Sequence, residues 1–376
     1  MSELPTVSLP QLLSQPTTTD HWEKSRRPEL LDRFRRLEYG ITPVLPSACI
    51  RFSIAQELSV LCGKGVKKAV DVAVDAPIKP FSFRFWLYLP THVAKAPAFV
   101  MINNRTSGKI RVDIASETDN PFWPVEYILS RGYATAAFNT TDIDLDINDG
   151  NRDTLFRYQN GILQYFEEYT PHRDPSLWQT ISAWAWAASR VMDYLVTDPG
   201  IDSSRVGVIG HSRGGKTALW CGAQDQRFHY VISNNSGCSG AAVARGNTGE
   251  QISDINRSCP FWFCDNYKQY SADPAAMPFD QHMLLALIAP RLLYIGSSSE
   301  DSWADPKSEY RSAVEASPAY HLYGFQGVRK VSGVLPDCNQ PLQEGRIGYH
   351  VKSAGHSLTV YDWEQYINFE QRHAGQ

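Results

Sequence analysis

Apolar residues recur every three or four positions along RRPELLDRFRRLEYG, where Leu30, Leu31, Phe34 and Leu37 share one face and Gly40 supplies a stop. That spacing predicts an amphipathic helix. Downstream the pattern changes. FRFWLYLP (83–90), APAFVMIN (96–103) and YATAAFN (133–139) are short apolar runs bounded by Pro, Gly or Asn, which predicts buried strands. Between 176 and 197 the helical spacing returns, with Leu177, Ile181, Trp184, Ala188, Val191 and Leu195 on one face. RVGVIG (205–210), HYVISNNSG (229–237) and RLLYIGSSS (291–299) read as further buried strands with helix-like stretches around them. Strands alternating with helices predict an α/β fold, a largely parallel central sheet with helices on both faces in three layers. In such sheets reactive groups gather beyond the carboxyl ends of the strands.

The 376 residues are 43% hydrophobic and 20% charged, as expected of a globular chain with a large core. No linker, low-complexity run or fixed-period repeat divides them, so one catalytic domain (25–376) is expected behind a polar N-terminal arm (1–24). The net charge is −4 with both signs interspersed, which leaves no basic stripe for phosphates, and nucleic acid is not an expected partner. No apolar run approaches the roughly 20 residues that span a bilayer. The start, MSELPTVSLPQLLSQPTTTD, lacks the basic and apolar regions of an export signal. A soluble monomer is expected, without a membrane partner and cytoplasmic if this start is the native one. Seven cysteines follow no zinc or CxxC spacing and read as small apolar residues. Their odd number leaves at least one thiol free; a pairing such as Cys221 with Cys238 stays open.

Candidate chemistry begins at GHSRG (210–214), which fits G-x-S-x-G. The bare pattern arises by chance in a chain this long with a probability on the order of 0.1, so context must carry it. Here an apolar strand precedes Ser212 and a helix former follows, with glycines where a tight turn needs them, as in a nucleophile elbow. A serine hydroxyl needs an imidazole to take its proton and a carboxylate to orient that imidazole. In α/β-hydrolases the chain order is Ser, acid, His. His356 lies in the late Gly-His loop SAGHSLTVYDW and is the expected base; His350 and His282 are expected to satisfy local hydrogen bonds. The acid is expected in SSSEDSWADP, after a late strand: Asp301 is preferred, with Glu300 and Asp305 left open because loop register is not readable. The acidic run DIDLDINDGNRD (142–153) fails the EF-hand template, since Asp149 and Leu155 stand where Gly and Glu belong, and reads as a solvated loop. No metal and no cofactor are expected.

GHSRGGKTALW, SNNSGCSGAA, PFDQHMLLALIAPR, SEDSWADP and GYHVKSAGHSLTVYDW together resemble the bacterial branch of the glucuronoyl esterases, carbohydrate esterase family fifteen, over roughly residues 25 to 370. The resemblance implies an α/β-hydrolase fold and a serine esterase of the carboxylic ester hydrolase class, acting on esters of (4-O-methyl-)glucuronic acid in plant cell-wall material. Ser212, Arg213, Gly215 and Lys216 match the family's nucleophile motif, and His211 stands where fungal members carry a disulfide cysteine, so that bridge is not expected. Arg213 is implied at the oxyanion, a contribution of about 3 kcal/mol per donor in comparable sites. Lys216 and Glu250 are implied donor and acceptor for sugar hydroxyls, and Trp303 is implied to line the uronate site. Family members are usually exported, which conflicts with the missing signal. One departure matters: many members carry the catalytic glutamate where this chain has Asn235, so the acid is expected from the later loop. Two alternatives stay open, an acetyl-xylan or other carbohydrate esterase and an inactive carbohydrate-binding hydrolase fold.

Overall fold

The computed structural model describes residues 7–13, 17–107, 111–116, 120–146, 154–332 and 335–375. Among them the strands are β1 (Ile50–Val60), β2 (Gly65–Val74), β3 (Phe81–Pro90), β4 (Ala96–Asn103), β5 (Ala134–Asn139), β6 (Ile201–His211), β7 (Tyr230–Asn234), β8 (Leu292–Ser298) and β9 (Ile347–Lys352). They form one sheet in the order β1-β2-β3-β5-β4-β6-β7-β8-β9. The pairs from β1 through β3 to β5 are antiparallel, and every pair from β5 to β9 is parallel.

The apolar pattern explains this division. Every residue of β4 is buried, because helices cover the parallel part on both sides. Alternation along β4 sends Ala98, Val100 and Ile102 into one apolar core and Phe99 and Met101 into the other. At the opposite extreme, the edge strand β1 is exposed along most of its length, and its mixed sequence IRFSIAQELSV gave no strand signal.

Two predicted boundaries move. The amphipathic helix occupies Thr180–Leu195, shorter than 176–197, because Leu177 instead bridges to Ile41 and Gln179 is extended. The boundary at residue 24 falls inside a helical run: α and π turns continue from Thr19 to Tyr39. Trp22, fully buried within the stretch read as a polar arm, anchors that earlier start. The run stops at Gly40 as expected, where φ is +95° and a Cβ would lie 2.5 Å from the Trp178 Cα.

The parallel registers place the site. His211, Asn234, Gly296 and His350 pair side by side across β6, β7, β8 and β9, and the chain leaves the sheet just past this row. Ser212, Asn235, Asp301 and His356 all follow it in sequence. Among the described residues no helix is long and apolar enough to cross a membrane.

Candidate active site

Ser212 sits between β6 and the helix Arg213–Gln224 with φ +59° and ψ −127°, a conformation non-glycine residues rarely adopt. Its N–H donates to the Asn234 carbonyl at 2.8 Å, and its carbonyl accepts from Gly215 and Lys216 at 2.8 and 3.2 Å. These bonds hold the strained turn. The glycine at 210 is obligatory, because a Cβ there would lie 2.0 Å from the Gly214 carbonyl oxygen. The elbow predicted from GHSRG is therefore present in the backbone itself.

A cleft of about 210 Å³ opens at this elbow, and its lining brings Ser212, Asp301 and His356 together with Lys216, Glu250, Trp262 and Trp303. The imidazole of His356 gives Nδ1 to Asp301, with Nδ1 and Oδ2 2.6 Å apart, which leaves Nε2 as the ring nitrogen not engaged by that carboxylate. Asp301 is buried and also accepts from the Asn235 amide at 2.8 Å and from the Ala304 N–H at 3.3 Å. Burial pushes its pKa up, but the hydrogen bond and charge of His356, with the Asn235 and Ala304 donors, hold it below the usual carboxylate value.

The other two carboxylates of this loop are placed differently. Glu300 is exposed, with its N–H on the Ala354 carbonyl. Asp305, at φ +53°, caps the helix Pro306–His321 by accepting from the Ser308 N–H and hydroxyl and from the Thr248 N–H. Asn235 is joined to Asp301 by the donor bond of its amide.

Beneath the cleft lies a polar network that the sequence did not reveal. His211 is fully buried, its ring 4.4 Å from that of His356. Its Nε2 faces the Arg105 guanidinium at 2.9 Å, which can only donate, so Nδ1 carries the hydrogen toward the Asn234 Oδ1 at 2.6 Å. Burial, then the charges of His356 and Arg105, drive the His211 pKa well down and keep this ring neutral. Asn234 donates onward to Asp362 and to Tyr366. Asp362 accepts from His350, Lys352 and Thr359, and Lys352 donates to the Ser357 carbonyl at 2.6 Å. Ser357 and Thr359 follow closely on His356, so the network fixes the loop that carries His356. His350 falls in this network, and His282 is buried against the Pro10 carbonyl, both as expected of hydrogen-bonded structural histidines.

Arg213 opens the helix after the serine, so its N–H belongs to the first turn, where helix donors lack intrahelical acceptors. Its guanidinium is tethered, pairing with Asp146 and donating to the Asn104 carbonyl at 3.2 Å. The Lys216 ammonium, also in the cleft lining, donates to Glu250 at 2.7 Å and to the Cys238 carbonyl, and lies 5.9 Å from the Trp262 ring centre. The Glu250 N–H donates to the Trp303 carbonyl, joining the two loops that form this end. Trp303 is 55% exposed. Trp262 went unread, although the aromatic cluster PFWF (260–263) marks it. A second, larger cavity of about 350 Å³ beside Tyr158, Tyr169 and Phe261 has no Ser, Cys or His among its described lining residues. No cluster of three or more His, Cys, Asp and Glu suited to a metal occurs among the described residues, and Asp149 of the acidic run lies outside them. All seven cysteines are free thiols, Cys221 and Cys238 included.

A family model described as glucuronyl esterase, fungi, matches residues 74–324. This chain belongs to the glucuronyl esterase family. It is 34% identical to carbohydrate esterase MZ0003 of an unknown prokaryotic organism, over 99% of this chain and 91% of that protein. A solved glucuronoyl esterase from Solibacter usitatus superimposes with a TM-score of 0.87 at 35% identity, over 99% of each chain. The 4-O-methyl-glucuronoyl methylesterase of Podospora anserina is 28% identical over 81% of this chain, which spans 58% of that protein. The α/β-hydrolase fold and the family resemblance read from the sequence are both borne out. Family membership does not by itself say which carboxylate serves His356; that rests on the 2.6 Å contact to Asp301.

Proposed function

We propose that this chain is a serine carboxylic-ester hydrolase that cleaves esters of glucuronic acid, with the uronate as the acyl part. The observation that carries the reading is one cleft whose lining brings a strained serine and an Asp301-bound imidazole together with a part-buried Lys216–Glu250 pair, Trp262 and Trp303. A bare esterase needs the first half of that cleft. The second half suits a pyranose, whose hydroxyls need fixed donors and acceptors and whose faces pack on aromatic rings.

In the proposed reaction His356 Nε2 takes the Ser212 proton as the hydroxyl attacks the uronoyl carbonyl, and the ionised Asp301 stabilises the imidazolium that forms. The backbone N–H of Arg213 faces the developing oxyanion from the helix start, and its cationic side chain adds charge at short range. The imidazolium returns its proton to the leaving alcohol. Water, activated by the same histidine, then releases the free uronate and restores Ser212. The substrate partner is thus a carbohydrate carrying an esterified uronic acid.

The test is product analysis on three substrates: methyl glucuronate, methyl galacturonate and an acetylated sugar. The proposal expects methanol and free glucuronate as the dominant products. Faster release of acetate from the acetylated sugar would overturn it in favour of an acetyl esterase.

A further inference from the structure

Glu309, on the helix Pro306–His321, is fully buried and forms no ion pair among the described residues, yet its carboxylate accepts hydrogen bonds from both sides of the site's floor. One oxygen takes the backbone N–H groups of Ser236 and Gly237 at 2.9 and 3.0 Å; the other takes the Ser297 hydroxyl at 2.6 Å. Ser236 and Gly237 form the turn after β7, directly following Asn235, and Ser297 lies at the end of β8, before the loop that carries Asp301.

The turn needs such a clamp. Asn235 and Gly237 both have positive φ, +46° and +63°, and for asparagine that conformation is held at a cost. Ser236 is a crossing point as well: its hydroxyl accepts from the Ala241 N–H at 2.8 Å and from Ser233 at 2.7 Å. A Cβ on Gly215, in the helix after the nucleophile, would meet the Ser236 Cβ at 2.9 Å, so the turn abuts the elbow. Asn235, Ser236 and Gly237 all line the reactive cleft. Two backbone donors aimed at one buried oxygen are the arrangement a carboxylate answers best, because a charged acceptor forms the stronger bond.

We propose that Glu309 is a positioning residue for ester hydrolysis, tying the ends of β7 and β8 together so that Asn235 keeps its donor on Asp301 and Asp301 keeps its contact with His356. The inference rests on the reading of Ser212, His356 and Asp301 as the reacting set. Burial raises the Glu309 carboxyl to about 7, against the pull of its donors. The clamp does not depend on that titration, since a protonated carboxyl still accepts on the oxygen facing Ser236 and Gly237 and can donate to Ser297. The charged or titratable groups facing Glu309 from neighbouring elements are Asp301, Tyr349 and Tyr366, with Asp305 at the start of its own helix.

The test compares wild type, Glu309→Gln, Glu309→Ala and Ser297→Ala in kcat, KM and the acid limb of the kcat/KM profile on methyl glucuronate. Glutamine can accept from both N–H groups and donate to Ser297, so Glu309→Gln should stay within about threefold of wild-type kcat. Glu309→Ala should lose kcat by about tenfold or more with KM changed less than about threefold, because the triad and not the sugar contact is disturbed. Its acid limb should move to lower pH, since an imidazole with a displaced Asp301 is harder to protonate. Ser297→Ala should show the same changes in weaker form, about threefold in kcat. The inference is overturned if Glu309→Ala folds and keeps wild-type kcat and acid limb, or if Glu309→Gln falls as far as Glu309→Ala. Should Glu309→Ala fail to fold, wild-type values of both quantities in Ser297→Ala overturn it. If wild type itself leaves methyl glucuronate uncleaved, the proposed function has failed instead.

Discussion

The two ends of the cleft are built on opposite principles. At the proposed ester end Ser212, Asp301 and His356 are placed by strand ends and backbone bonds, and Asp301 meets its imidazole, an amide and an N–H, with no permanent cation in hydrogen-bonding contact among the described residues. At the end proposed to hold the sugar, Lys216 and Glu250 neutralise each other at 2.7 Å. The difference is instructive because a reacting group must be free to change charge during the cycle, whereas a binding group gains from being held before the ligand arrives. A paired lysine and glutamate can still share bonds with hydroxyls, since an ammonium has three hydrogens and a carboxylate several lone pairs.

Breaking the ester end should have the largest effect. Ser212→Ala and His356→Ala should each lower kcat by about 10³-fold or more with the thermal midpoint little changed, read by ester turnover and thermal denaturation. Near-normal turnover in either would leave the elbow without its assigned role. Asp301→Asn should lose about 10³-fold, because an amide can hold the imidazole in the wrong tautomer and stabilises no charge. Asn235→Ala removes one donor from a carboxylate that keeps two others, so a loss of about fivefold is expected. Crippling of Asp305→Asn, with Asp301→Asn active, would reverse the assignment of the acid.

Breaking the sugar end should have a smaller, substrate-dependent effect. Lys216→Ala or Glu250→Ala should cost about 1 to 3 kcal/mol, roughly 5- to 150-fold in kcat/KM, on glucuronate esters. A small aryl acetate has no ring hydroxyls to hold and should be little affected. Because the two side chains are partners, the double variant should lose less than the sum of the single losses. Equal losses on both substrates would mean that the pair supports the fold or the triad, and the contrast between the ends would disappear.

The smallest effect concerns the network that joins His211, Asn234 and Asp362. Burial pushes the Asp362 carboxyl up, but the His350 hydrogen bond and the charges of His350 and Lys352 bring it far below the ordinary carboxylate value. A depressed folded pKa contributes stability that is present above the unfolded value near 4 and lost as pH falls through and below it. Wild type should therefore lose thermal stability on acidification below about pH 4, and Asp362→Asn should flatten that slope while lowering stability at neutral pH. An unchanged slope would show that Asp362 is not the group responsible.

How much of this was legible depended on whether a residue's role left a local pattern. β4 reads as a strand because both its faces are buried, and Ser212 reads as an elbow because tight turns demand glycine at fixed offsets. β1 is an exposed edge and β9 carries His350 and Lys352 inward, so neither shows a strand's usual apolar signature. Asp301, Glu300 and Asp305 look alike in one dimension. They are separated by a left-handed residue at Asp305, which turns that carboxylate to its helix cap and leaves Asp301 facing His356. The links from His211 through Asn234 to Asp362 span β6, β7 and the helix Val360–His373, and a long-range network of this kind has no sequence period.

The central claim is that Ser212 accepts a uronoyl group, and the most direct measurement is to trap it. Wild-type protein mixed with methyl glucuronate, quenched in acid and digested should yield the peptide bearing Ser212 with the added mass of one uronoyl group, and Ser212→Ala should yield none. Turnover without any adduct on that peptide, or an adduct that persists in Ser212→Ala, would contradict the account.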